Sequence, residues 1–133
     1  MALSGTFLTS LAGAQLAGPD SDFVIVEWTD SGESEYEWIA PPHVHHADDE
    51  AWYVLEGMLR FRIGDEVREV GPRGAVFAPK GTPHAYGNAR HGQPARYLLV
   101  MTPKLRRLVE ALHEPGAGDY KEIFRAHDSE LLD

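Results

Sequence analysis

The stretch Pro42-His-Val-His-His-Ala-Asp-Asp-Glu50 decides how the rest of the chain is read. His43 and His45 are two residues apart, so on a strand their side chains leave the same face and that of His46 leaves the other. Glu50 lies five residues beyond His45, an odd step that a continuous strand would turn away from the two imidazoles. It rejoins them only if Ala47-Asp48-Asp49 turns and a new strand begins, and Asp-Asp suits a turn. From Glu50, alternation places Trp52 and Val54 on its face, with Tyr53 and Leu55 opposite. Asp48 and Asp49 read as solvated turn residues and His46 as exposed.

Working outward, short strands follow one another between Gly and Pro turns. Residues 23–28 are rich in β-branched and aromatic side chains and read as a strand. A turn over 30–33 leads to a second strand over 36–40, stopped by Pro41-Pro42. Residues 50–56 end at Gly57. Leu59, Phe61 and Ile63 alternate with Arg60 and Arg62, the period of a half-buried strand. Gly64-Asp65 is a two-residue hairpin turn. Strands over 67–70, 75–78, 84–88 and 96–101 complete the set. About eight such strands predict an antiparallel sandwich or barrel.

The period then changes. Thr102 suits an N-cap and Pro103 the first helical position. Leu105, Leu108, Val109 and Leu112 share one helical face. Gly116 and Gly118 interrupt the chain, and Asp119-x-x-Glu122 resembles a capping box opening a second helix. The expected organisation is one domain: an arm over 1–20, a β-barrel over 21–102 and a helical tail over 103–133. The two helices are expected on the outside, closing the core.

A second element carries chemistry. Pro79-Lys-Gly-Thr-Pro-His84 is a tight turn that delivers one His onto a strand, with Tyr86 and Asn88 on its face. His43, His45 and His84 with Glu50 make a set of three imidazoles and one carboxylate, which suits a first-row divalent cation. Four protein ligands leave positions open on a metal that prefers five or six, as catalysis requires. Trp52, Phe77, Tyr86 and Met101 are candidates for a substrate pocket around it. Asn88 is expected to hold a turn through its side-chain amide.

Composition agrees with a metal site and excludes much else. The 133 residues hold 12 Lys and Arg against 21 Asp and Glu, a net charge of -9. Residues 1–59 contain 11 acids and no Lys or Arg, which suits a cation and repels nucleic acid. There is no cysteine, so thiolate metal sites, disulfides and Cys nucleophiles are out. No apolar run is long enough to cross a bilayer. The N-terminus lacks the basic start of a secretory signal, and a cytoplasmic protein is expected. There is no nucleophile elbow and no phosphate-binding Gly loop.

Both motifs resemble those of the cupin superfamily. His43-x-His45-x4-Glu50-x6-Gly57 is similar to its first motif, and Pro79-x-Gly81-x2-His84-x3-Asn88 to its second. The short segment between them resembles small single-domain microbial cupins. Two departures stand out. Glu37 occupies the position of the Gly usually found before the first His, and the Gly before Pro79 is Gly74 or Gly71. The resemblance implies a double-stranded β-helix, or jelly-roll barrel, with metal ligands at His43, His45, Glu50 and His84. It does not name the metal: Fe, Mn, Ni, Cu and Zn all fit.

The tail loosely resembles that of small quercetin-dioxygenase-like cupins. The expected function is therefore a metal-dependent dioxygenase acting on a small oxygenated organic substrate, with Glu50 doubling as proton acceptor. The alternatives are a metal-dependent isomerase, epimerase or cyclase, or a non-catalytic small-molecule-binding cupin. Open space around the metal would favour an enzyme, and a pocket filled by the chain's own side chains a binding protein. The strand over 23–28 has no Lys to guard its edge. A homodimer is expected to form there, unless the chain's own arm covers the edge.

Overall fold

The computed structural model describes residues 5–132. Ten strands and two helices follow in chain order: β1 (Gln15–Leu16), β2 (Val24–Asp30), β3 (Ala40–His45), β4 (Glu50–Glu56), β5 (Leu59–Ile63), β6 (Glu66–Val70), β7 (Ala75–Ala78), β8 (His84–Asn88), β9 (Ala95–Met101), α1 (Pro103–His113), α2 (Tyr120–Ala126) and β10 (Ser129–Leu131). They form two five-stranded antiparallel sheets, ordered β1-β2-β9-β4-β7 and β10-β3-β8-β5-β6. Between β2 and β9 the chain changes sheet at every connection except the β5–β6 hairpin. This is the double-stranded β-helix expected from the strand pattern and the two motifs. No helix among the described residues is long and apolar enough to cross a membrane.

The inner faces make the core. In β9 the buried positions are Ala95, Tyr97, Leu99 and Met101, so that face points inward. Trp52 and Val54 from β4 and Leu59 and Phe61 from β5 meet them. Trp52 contacts Phe61 edge to face at 5.2 Å, and Phe61 stacks on Tyr86 at 5.8 Å. Side chains of this size each contribute about 1.5–3 kcal/mol when fully buried. Gly57 closes the β4–β5 connection at φ +80, where a Cβ would lie 2.4 Å from the Pro94 carbonyl oxygen. Only glycine fits there.

Three expectations are corrected. Pro41 and Pro42 lie inside β3 rather than ending a strand over 36–40. Ala40 pairs with Tyr86 and His43 with His84, so three steps on β3 oppose two on β8. That bulge holds the prolines, which have no N–H to give the ladder. The segment before it instead crosses β8 closely: a Cβ on Gly87 would stand 2.2 Å from the Glu37 carbonyl oxygen. The tail is not wholly helical, because β10 adds to the edge of β3. Finally, Asp48 is buried. Its Oδ1 accepts from the Thr102 hydroxyl at 2.8 Å, and Lys104 Nζ lies 4.0 Å from Oδ2.

The β2 edge is occupied by the chain's own arm. Gln15 and Leu16 pair with Val26 and Ile25, and Ala12 bridges to Glu27. The helices follow the local signals. Thr102 caps α1 through Leu105 N–H, with Pro103 beside it, and Asp119 caps α2 through Lys121 N–H.

Candidate metal centre

His43 and His45 project inward from β3, in the second sheet. Beyond His45 the chain leaves that sheet, and Glu50 opens β4 in the first. A bend at residues 46 and 47, one residue earlier than expected, thus turns the odd five-residue step into convergence across the sandwich. The exposed Asp49 carboxylate fixes the facing turn by accepting from Lys80 N–H at 2.8 Å, and Gly81 N–H donates to the His45 carbonyl at 2.7 Å. These bonds bring His84, at the start of β8, beside the other three. One potential ligand atom from each of His43, His45, Glu50 and His84 lies within 4.8 Å of the others, and all four residues are buried. His46 faces outward and is exposed.

The outer hydrogen bonds fix the imidazole tautomers. His43 Nδ1 lies 2.7 Å from the Pro41 carbonyl and His84 Nδ1 2.9 Å from the Thr82 carbonyl. A carbonyl can only accept, so both Nδ1 atoms carry the proton. His45 Nδ1 lies 2.7 Å from Ser129 Oγ, whose own hydroxyl donates to the His127 carbonyl at 3.1 Å. The Ser129 oxygen therefore accepts from His45. In each ring Nε2 is left to face the cluster. His84 and His45 place Nε2 at 3.1 and 3.3 Å from Glu50 Oε1.

The charges are arranged for a cation. Burial, followed by the neighbouring His84 and His45, lowers the His43 pKa to about 3. Burial alone would raise that of Glu50, but hydrogen bonds from His45 and His84, donated when their Nε2 atoms also carry protons, outweigh it and bring it to about 2. The centre therefore offers unprotonated nitrogen at His43 beside an ionised carboxylate. Ligand atoms bonded at about 2.1 Å to one ion stand roughly 3 Å apart at right angles and about 4.2 Å across. The observed spread fits a divalent ion after a contraction of about half an ångström.

These shifts make the metal-free fold acid-labile. Between pH 6.5 and about 3 the unfolded chain protonates His43 and the folded chain resists it. Between 4.5 and about 2 the same holds for Glu50. The unfolded state binds more protons throughout, so stability falls as pH drops. The midpoint of heat unfolding of metal-free protein, followed by circular dichroism, is expected to fall by on the order of 10 °C from pH 7 to pH 4. A His43→Leu variant should lose less over the upper part of that range.

The four pocket candidates separate into two places. Trp52 and Tyr86 lie inside the barrel, where Trp52 meets the His84 ring at 5.6 Å and Tyr86 at 5.4 Å. Phe77 is 56% exposed on the outside of the first sheet. It borders a surface groove of about 310 Å³ that reaches Glu50 beside Asp48, Asp49 and Lys80; Met101, at the end of that groove, is itself buried on the inward face of β9 with Trp52 and Tyr86. The interior itself is filled by aromatic and aliphatic side chains. Its polar groups are mostly donors: the Tyr86 and Tyr97 hydroxyls share one hydrogen bond at 3.0 Å, and burial raises the pKa of both. The buried Trp52 indole N–H makes no hydrogen bond of ordinary geometry among the described residues, though it lies close enough to the Tyr86 hydroxyl to favour its charged form. Asn88 holds its turn as expected, donating to the Gln93 carbonyl and accepting from Arg90 N–H, both at 2.8 Å.

Ser129 was not legible as a site residue, because nothing in its local sequence marks it. Phe124 of α2 also reaches the centre, 5.7 Å from His43 ring to ring; its helical spacing indicated only packing.

Comparison with known proteins agrees with the geometry. The family profile described as "Cupin domain" matches residues 34–101. No curated protein matches the chain. Among solved structures, TT1209 from Thermus thermophilus is 31% identical, with 63% of this chain and 76% of that one covered, at a TM-score of 0.52. The polyketide cyclase RemF from Streptomyces resistomycificus is 34% identical over 63% of this chain and 57% of its own, at 0.51. KdgF from Halomonas sp., 22% identical over 62% of this chain and 70% of its own at 0.52, shares the fold.

Proposed function

Because the chain belongs to the cupin family, we propose that it is a metal-dependent enzyme, a dioxygenase acting on a small oxygenated organic substrate. The observation that carries the metal-dependent reading is the buried convergence of His43, His45, Glu50 and His84, with the His43 and His84 tautomers set by carbonyl oxygens. A divalent Fe, Mn, Ni, Cu or Zn ion held there supplies Lewis acidity toward a substrate oxygen and, when redox-active, electrons for dioxygen. Glu50 borders a surface groove, and its carboxylate is placed to accept the proton that an enolisable substrate must lose.

A second reading, cyclisation or isomerisation without oxygen, is favoured by the 34% identity to a protein named as a polyketide cyclase. The filled interior speaks for a third, a non-catalytic binding protein. Oxygen uptake separates them, measured with flavonols and other enolisable ring compounds after loading Fe, Mn, Ni, Cu or Zn in turn. Uptake that depends on metal and Glu50 supports the dioxygenase. Product without oxygen moves the reaction to the second reading, and ligand binding without turnover to the third.

A homodimer belongs to the same proposal. With the β2 edge taken, the outer face of the first sheet is left for a second copy, where Phe23, Tyr53 and Phe77 are exposed. Sedimentation showing only monomer at micromolar concentration removes it.

A further inference from the structure

The cupin-domain match ends at residue 101, yet the segment from α2 to β10 touches two of the four candidate ligands. β10 pairs with β3, the strand that carries those two, with Ser129 opposite His45 and Leu131 opposite His43. Two further backbone bonds extend the attachment: Leu132 N–H to the Pro42 carbonyl at 2.9 Å, and His46 N–H to the Asp128 carbonyl at 2.8 Å. Ser129 Oγ accepts from His45 Nδ1, and Phe124 lies against the His43 ring. Phe124 is the one buried residue of α2. Gly116 and Gly118, both at positive φ, join α2 to α1. The segment is thus a short edge strand attached by Phe124, by the half-buried Ile123 and Leu131 and by the Lys104–Asp128 ion pair, at the end of a glycine-rich connection, a peripheral unit that can open apart from the barrel.

We propose that this segment is a clasp on the metal centre, in which Ser129 is a positioning residue for His45, so that metal binding and docking of α2–β10 stabilise each other. This rests on the metal reading above. An ion on His45 Nε2 would draw charge from the ring, strengthen the Nδ1–H donation to Ser129 and so hold β10 against β3. By linkage, a docked β10 fixes the His45 ring for the ion. His43 and His45 are each 5% exposed with the segment in place, and opening it uncovers them.

The probe is Co²⁺, whose visible spectrum reports its coordination. In the full-length protein, Co²⁺ is expected to slow hydrogen exchange at the amides of 129–132 by at least about tenfold. Ser129→Ala should weaken Co²⁺ binding by about 10–100-fold and alter the visible spectrum. It should also lose part of the thermal stabilisation that Co²⁺ gives, whereas a merely structural role lowers the melting temperature equally with and without the ion. Wild-type protein that binds Co²⁺ with unchanged exchange over 129–132, or a Ser129→Ala variant with wild-type affinity and spectrum, overturns the clasp alone. A wild-type protein that binds no Co²⁺ overturns the metal reading, and the clasp with it.

Discussion

Replacing Glu50 by Gln is expected to leave a folded protein whose turnover drops by roughly 10²–10⁴, the usual range for a lost general base. The amide keeps the shape of the side chain, so Trp52 and the start of β4 need not move. It removes the acceptor for the substrate proton and one negative charge beside three imidazoles. Metal binding should weaken only modestly, since three nitrogen ligands remain. Steady-state rates on metal-loaded protein, with metal content measured on the same samples, separate the two losses. A variant with full metal and full rate would show that Glu50 is no base. One with neither metal nor rate would show that its charge serves mainly to hold the ion.

The second large effect is expected at His84. Its Nε2 is 3.1 Å from Glu50 and its Nδ1 is held by the Thr82 carbonyl, so its ring is fixed toward the cluster. His84→Ala should reduce bound metal to below about one tenth of the wild-type content, since one of four ligands is lost and a buried space remains. His46→Ala is the matched control. It removes an imidazole from the same segment as His43 and His45, but from the exposed side, and should leave metal content unchanged. Elemental analysis of protein made without an affinity tag reads both. Equal loss in the two variants would mean that the metal is bound by surface histidines.

The parts of this protein that were legible in its sequence are those set by local rules. β4 runs over Glu50–Glu56 as alternation and Gly57 require, and α1 starts where Thr102-Pro103 places it. The convergence of four side chains was legible because each half of the set is local: His43, His45 and Glu50 around one turn, and His84 at the end of another. What failed depends on partners distant in sequence. Pro41-Pro42 reads as a stop unless a bulge against β8 receives it. Asp48 reads as solvated because the hydroxyl that satisfies it is at Thr102, and the outward direction of Phe77 follows from its pairing with Ala51. Ser129-Glu130-Leu131 lacks β-branched residues and follows a helix, so β10 exists only because the edge of β3 is open to it. Its contact with His45 spans 84 residues, and no local pattern carries that.

Whether four side chains meet on one ion can be seen in anomalous diffraction from metal-loaded crystals. A single strong peak is expected inside the barrel at roughly 2.0–2.3 Å from Nε2 of His43, His45 and His84 and from a carboxylate oxygen of Glu50. A peak elsewhere on the chain, or none in this cluster when the four side chains are well ordered and point apart, would contradict it.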